Sequence, residues 1–462
     1  MPSTVLSGLP RAARARVSFK RLRQRGFLPN VMVVMTSTGL AQLLTVCISP
    51  VLSRLYSPGD FGMYGTFLSL AGVLSAAVTL QYSEALMLPY KDHEAVGLFW
   101  ASTFSALGIT AIAGLSWFLF PSWWLAVLKV PQLKGWLWLV PVAALVTGLN
   151  QTLTAWCARR KAFKRSAAAQ VARSITANSG QTMAGVAGWG AGGLIAGGVI
   201  GDLLANLGLF WRVMREDGPL LREGAHGKQI FEAARDHKDF AIYSTPQNVL
   251  NAVSQGAPVI LLIHFFGAAA GGLYAFAIRV LQLPMNLVLT ALRQVLFQRL
   301  SEVQHHGGDL RGLFLETTTM LLGLSVAPAV AGFMLAPWLF GLVFGSDWVI
   351  AGEYARWLLI WLVPGFCNMP AVLAGRILRQ QRNLLLFDTA LLVSRVAVLV
   401  VGGLYFNALQ TIILFSVVGA LFNALLILFM WRLLKHSSFA DEGHGPGPDA
   451  PTATDPQPHR RS

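Results

Sequence analysis

From Ala241 to Phe266 the chain runs for the length of a membrane span without a single fixed charge. With a rise of about 1.5 Å per residue, a helix of that length crosses a hydrocarbon core about 30 Å thick. The composition extends the point to the whole chain. Hydrophobic residues make up 54% and charged residues 12%, about half the charged share usual in soluble domains. An ordinary globular enzyme is therefore excluded, and an all-α polytopic membrane protein is predicted.

A hydropathy window of about 19 residues places spans at 28–52, 61–82, 95–120, 136–157, 167–187 and 191–211. The second half repeats the number, at 240–264, 271–292, 313–343, 354–375, 384–405 and 409–431. This divides the chain into a basic arm (1–26), a first six-helix lobe (27–211), a polar linker (212–239), a second six-helix lobe (240–435) and a tail (436–462). The tail is rich in Pro, Gly and polar residues and reads as disordered.

Charge supplies the orientation. The arm carries Arg11, Arg14, Arg16, Lys20, Arg21, Arg23 and Arg25 without an acid. If it lies in the cytoplasm, so do the connections holding Lys91, Arg159 to Arg165, Arg212 to Lys238, Arg293 to Arg311, Arg376 to Arg382, and Arg432 with Lys435. The opposite connections hold only Arg54, Lys129, Lys134 and Arg356. The expected topology has both termini in the cytoplasm. The excess of 36 Lys and Arg over 21 Asp and Glu is thereby explained as topology, and no nucleic-acid partner is implied.

Several spans are not uniformly apolar. Ser244, Gln247, Asn248, Asn251, Ser254 and Gln255 recur at helical spacing on one span, and Arg279, Gln282, Asn286, Thr290 and Arg293 on the next. Thr38, Gln42, Thr45, Ser49 and Ser53 form a stripe on the first span, and Gln170, Arg173, Gly180 and Gln181 one on the fifth. Amides and guanidinium groups at membrane depth are costly in lipid, so these stripes face protein or a water-filled passage.

The halves resemble each other. SPVLSRLYSPGDFGMY (49–64) and APVILLIHFFGAAAGGLY (257–274) share Pro-Val near the end of a span, a short loop, and Gly-x-Tyr opening the next. Six spans per half give both copies the same orientation, which makes the repeat parallel, about a pseudo-twofold axis along the membrane normal.

RLYSPGDFGMYGTFLSL (54–70), SEALMLPYKDHEA (83–95), and DFAIYSTPQNVLNAVSQGAPVILL followed by GLYAFAIRVLQLP resemble the Wzx-type polysaccharide flippases. These belong to the superfamily that also holds lipid II flippases and multidrug and toxin extruders. The similarity covers residues 27–435. It implies a V-shaped, two-lobed transporter that moves undecaprenyl-pyrophosphate-linked oligosaccharide repeat units between leaflets. The implied partners are that carrier, membrane lipid, a coupling ion such as a proton or sodium, and other polysaccharide-assembly proteins.

On this reading the cavity residues are Arg279, Gln282, Asn286, Asn251, Gln255, Gln42, Arg173 and Arg395. Guanidinium forks suit phosphate oxygens, and amides suit sugar hydroxyls. Arg279 either binds pyrophosphate or braces helices. Glu84, Asp202, Asp388 and Arg54 are candidates for coupling or gating. Each also has a structural reading: Glu84 in the cytoplasmic interface with Lys91 nearby, Arg54 paired with Asp60 near the start of the second span, Asp202 neutralised by Arg173, and Asp388, like Arg395, paired elsewhere.

Other chemistry has no motif to carry it. Gly188, Gly190 and Gly193 fit G-x-G-x-x-G, but they lie between apolar spans with no preceding strand, as a tight turn would. There is no Walker loop and no metal-ligand cluster, so neither a cofactor nor a catalytic metal is expected. Cys47, Cys157 and Cys367 lie inside apolar runs and read as small core residues. His264 reads first as structural, and the sequon Asn150-Gln151-Thr152 falls within a span. Two rival functions stay open, an ion-coupled multidrug extruder and a membrane glycan polymerase or ligase.

Overall fold

The computed structural model describes residues 27–89, 91–128, 133–223, 226–305, 309–378 and 380–442. The basic arm and residues 443–462 of the tail lie outside the described residues. The first half contains the long helices α1 (Phe27–Leu55), α2 (Pro58–Val78), α3 (Asp92–Leu119), α4 (Leu139–Arg159), α5 (Phe163–Val186) and α6 (Gly190–Glu223). The second contains α7 (Thr245–Phe266), α8 (Ala268–His305), α9 (Leu310–Phe344), α10 (Val349–Cys367), α11 (Gln381–Tyr405) and α12 (Ala408–Glu442).

Ten of these are long and apolar enough to cross a membrane. The other two, α4 and α5, have the length but not the apolar composition. They carry Thr147, Asn150, Gln151 and Thr154, and Gln170, Arg173, Ser174 and Asn178 respectively. Such helices persist at membrane depth only if their polar sides turn inward.

Packing follows the sequence repeat. In the first half α1 packs on α5, α5 on α6, α2 and α3 on α4, and α4 on α6. Six helices later the same pattern returns: α7 on α11, α11 on α12, α8 and α9 on α10, and α10 on α12. Between the halves α2 lies along both α7 and α8, whereas α1 meets α8 over a much shorter stretch. The pseudo-twofold would make these two seams equal, and the difference leaves a lateral gap between α1 and α8.

The two ends of the bundle are built differently. At the end carrying most of the Lys and Arg, Arg159 pairs with Asp92 at 3.0 Å, and Arg165 pairs with Asp217 at 2.7 Å and with Glu216. Asp217 also accepts from the Trp156 indole at 3.2 Å. These contacts carry α6 to Glu223, well into the expected linker, and Gly227–Asp236 of that linker forms a further helix packed on α3. A hydropathy window ends a span where charges begin, whereas α6 runs on through Gly218 and Pro219 to Glu223 with Glu216 and Asp217 paired. Similarly, α12 continues to Glu442 into the expected disordered tail, through a stretch from Ala420 that holds neither glycine nor proline.

The opposite end is sealed. Phe61, Phe276, Phe344 and Trp348 form edge-to-face and tilted ring pairs with centroids 4.2–5.2 Å apart. The Trp348 indole donates to the Ser53 carbonyl at 2.9 Å, and the Ser53 hydroxyl donates to the Phe344 carbonyl at 3.0 Å. Both bonds join the two halves. Ser57 is the N-cap of α2, and Asp60, three residues on, completes a capping box with it. The other Asp60 oxygen accepts from the backbone N–H of Ala191 at 2.8 Å, tying α2 to the start of α6. Tyr56, buried and beside Asp60, is pushed up to about 12, so it stays a neutral donor to the Gln181 carbonyl at 2.6 Å.

Candidate functional site

Three adjoining spaces lie between the basic end and the aromatic seal. The central one, of about 350 Å³, is walled by α1, α2, α4, α5 and α6, and Arg279 of α8 is the second half's contribution. Its charged lining is Arg173, Asp202 and Arg279. Arg173 grips Asp202 with two parallel bonds, Nε to Oδ1 at 2.5 Å and Nη2 to Oδ2 at 2.8 Å. The pairing follows from α5 and α6 packing antiparallel with both residues inward, and it neutralises both charges. Arg279 makes no ion pair among the described residues. The cavity therefore has a net positive charge at membrane depth.

The rest of the central wall is hydroxyl and amide. Ser174 donates to the Ala41 carbonyl at 2.9 Å, and Asn178 donates to Ser174 at 3.2 Å, which fixes α5 against α1. Gln181 donates to Tyr64 at 3.2 Å and to the Leu194 carbonyl at 3.0 Å. Gln42 differs, since its Oε1 is buried with no partner among the described residues. A buried unpaired acceptor is uncommon in a settled structure and marks a place to look for a ligand.

Gln42 also belongs to the second space. This apolar groove of about 320 Å³ fills the gap between α1 and α8, with Leu43, Val46, Val280, Leu283, Pro284 and Leu287 in its walls. The third space adjoins the central cavity on the other side, through the shared residues Gly72, Ser75 and Thr147. It has a volume of about 870 Å³ and extends toward the basic end between α2, α4 and α7. Gln81, Asn150, Gln151, Asn248, Asn251 and Gln255 line it, and Glu84 is the one charged residue among the described residues of its wall. A further cavity of about 620 Å³, lined by Trp117, Trp124, Leu137 and other apolar side chains, shares no residue with the three.

Of the residues expected in the passage, Gln42, Arg173, Asp202 and Arg279 meet at the central cavity, and Glu84, Asn251 and Gln255 meet in the third space. Gln282 and Asn286 line none of the three spaces. Arg395 is also elsewhere, buried inside the second half with its guanidinium 4.3 Å from the Trp361 ring and 4.9 Å from that of Phe415. Asp388 and Arg54 are exposed, Arg54 at the sealed end of α1. Cys47 is exposed on α1 rather than in the core, whereas Cys157 and Cys367 are buried.

The residue pattern alone did not point to the α4 wall. Asn150 and Gln151, which belong to the sequon within the fourth span, line the third space, and Asn150 also donates to Asn206 at 2.6 Å. The low hydropathy of α4 and α5 was the available signal.

Fold and site together define a polytopic membrane protein of two repeated six-helix halves around a polar, positively charged cavity. Solved structures share the fold. The lipid II flippase MurJ in an inward closed conformation superposes with a TM-score of 0.66 at 13% identity, over 88% of this chain and 91% of that one. An inward-facing multidrug resistance MATE family transporter of the MOP superfamily gives 0.63 at 13% identity, over 88% and 96%. The chain belongs to the polysaccharide biosynthesis protein family, whose model matches residues 51–352. It is 24% identical over 325 residues to the succinoglycan biosynthesis transport protein ExoT of Rhizobium meliloti; the match takes in 69% of this chain and 62% of that relative's length.

Proposed function

We propose that the protein is a flippase that carries an undecaprenyl-pyrophosphate-linked oligosaccharide repeat unit from the inner to the outer leaflet of the bacterial inner membrane. The observation that carries this reading is the junction at Gln42, where a groove open toward lipid meets a cavity whose net charge comes from Arg279. A polyprenyl chain needs no help in lipid, while its pyrophosphate cannot leave water without a counter-charge. Arg279 offers paired N–H donors to that group, and the α1–α8 groove lets the chain stay in the bilayer.

The positive-inside distribution supports a cytoplasmic location for the basic end and, with it, for both termini. The sealed end then faces outward, and the two halves, 27–211 and 240–435, rock about the seal to give alternating access. With the interior negative, each negative charge moved outward gains about 2.3 kcal/mol per 100 mV, so the potential assists an anionic headgroup with or without a coupling ion. An extruder of cationic drugs is disfavoured by the net positive cavity, where Asp202 is already occupied by Arg173.

Depletion of the protein in its host tests the reading. Lipid-linked repeat units should accumulate on the cytoplasmic leaflet while surface polysaccharide falls. Normal polysaccharide export with no accumulated intermediate would contradict it.

A further inference from the structure

We infer that the amide-lined third space is the subsite for the sugars of the headgroup, distinct from the charged cavity that takes the pyrophosphate. The inference rests on the flippase reading and adds how the headgroup is divided along the passage.

Three observations converge on it. The spaces adjoin one another in a fixed order: apolar groove, Gln42, charged cavity, then Gly72, Ser75 and Thr147, then amide space. A lipid-linked oligosaccharide has the same order of chemistry, with hydrocarbon, then pyrophosphate, then sugar. Second, the amide space has no cation among the described residues that line it to draw phosphate, whereas Asn and Gln present a donor and an acceptor side by side, the match for adjacent sugar hydroxyls. Its volume of about 870 Å³ is near the upper end of the range of about 300–1,000 Å³ for ligand pockets.

The third observation is local. Leu80 and Gln81 both have left-handed backbones, with φ of 47° and 57°. Neither is glycine, so the conformation is strained, and such strain concentrates at working sites. The turn ends α2 and brings Gln81, Ser83 and Glu84 to the wall of the space. The Glu84 carboxylate accepts from hydroxyls and repels phosphate, while Arg279 in the adjoining cavity attracts it. The pair would orient the headgroup one way round, with its anion toward α8 and its glycan toward α4 and α7.

The test uses the full-length protein in lipid nanodiscs and two probes, undecaprenyl pyrophosphate and the same carrier bearing a neutral trisaccharide. Wild-type protein should bind the glycosylated probe more tightly. The variant Asn248→Ala/Asn251→Ala should lose about tenfold in affinity for the glycosylated probe and keep its affinity for the bare one. Gln255→Ala, an exposed side chain whose loss disturbs no packing, should show the same selectivity to a smaller degree. Arg279→Gln should weaken both probes. If the amide variants weaken both probes equally or neither, or if the wild type binds both equally, the sugar subsite is refuted while the flippase reading stands. If the wild type binds neither probe, the flippase reading fails, and the subsite with it.

Discussion

Gly62 and Gly272, the glycines of the two Gly-x-Tyr motifs, meet where α2 crosses α8. A Cβ added to Gly272 would lie 1.8 Å from the Pro58 carbonyl oxygen and 2.6 Å from the Gly62 nitrogen, and one added to Gly62 would lie 2.0 Å from the Ala268 carbonyl oxygen. The repeated motif is thus the close contact between the halves, one glycine from each, beside the aromatic seal. Small residues let membrane helices approach to backbone contact, and no side chain fits there.

Gly272→Ala should therefore lower the apparent unfolding temperature in detergent, with a destabilisation of about 1–3 kcal/mol or more from overpacking. Gly323→Ala, where an added Cβ meets nothing within 4 Å, should leave it unchanged or slightly raised. Equal behaviour of the two variants would mean that the crossing is not the tight contact between the halves.

The bond from Trp348 to Ser53 gives a second expectation. Trp348→Phe keeps an aromatic ring in the seal but removes the donor to the Ser53 carbonyl. One such bond is worth about 0.5–1.5 kcal/mol net, enough to shift a balance between closed and open ends severalfold. Spin labels at Arg54→Cys and Asp347→Cys, with the native cysteines replaced, should report a longer-distance population in the variant. An unchanged distance distribution would show that the seal does not depend on this bond.

For Arg173 and Asp202 the expectation is coupling. Asp202→Asn leaves a guanidinium without its carboxylate, and Arg173→Gln leaves the reverse, so each single change should lower thermal stability. The double change should recover part of the loss, with an interaction of about 0.5–3 kcal/mol in the cycle. Additive losses would mean that the pair observed at 2.5 and 2.8 Å contributes no net coupling.

Much of this architecture was legible in the sequence, and the failures have physical causes. Hydropathy located the long helices because lipid demands apolar length, and spacing suggested the Arg173–Asp202 pair because both residues face inward on consecutive spans. Spacing gives a residue's direction around a helix but not the depth at which a cavity ends. Asn286 shares the azimuth of Arg279 but lies two turns toward the basic end, outside the central cavity. Arg395 could not be placed because Trp361 and Phe415, which hold it, come from α10 and α12, and no pattern along α11 reveals partners on other helices. The turn at Leu80 and Gln81 was hidden for a different reason, since neither residue type signals a left-handed backbone.

Orientation can be tested at the helix Gly227–Asp236, where the Lys228 side chain is 87% exposed. In a background free of native cysteines, Lys228→Cys should react with a membrane-impermeant maleimide only after the inner membrane is opened. Ser346→Cys, at the sealed end, should react without it. The reverse pattern would invert the topology and the proposed direction of transport.

The most direct test of the central claim is flipping of an undecaprenyl-pyrophosphate-linked oligosaccharide by purified protein in liposomes, read as the fraction of probe reaching the opposite leaflet. Wild-type protein should move the probe well above protein-free liposomes. Arg279→Lys, which keeps the charge but loses the fork, should retain partial activity. Arg279→Gln should abolish transport with the apparent unfolding temperature unchanged. A wild-type rate no higher than that of protein-free liposomes, or an Arg279→Gln variant as fast as wild type, would contradict the account.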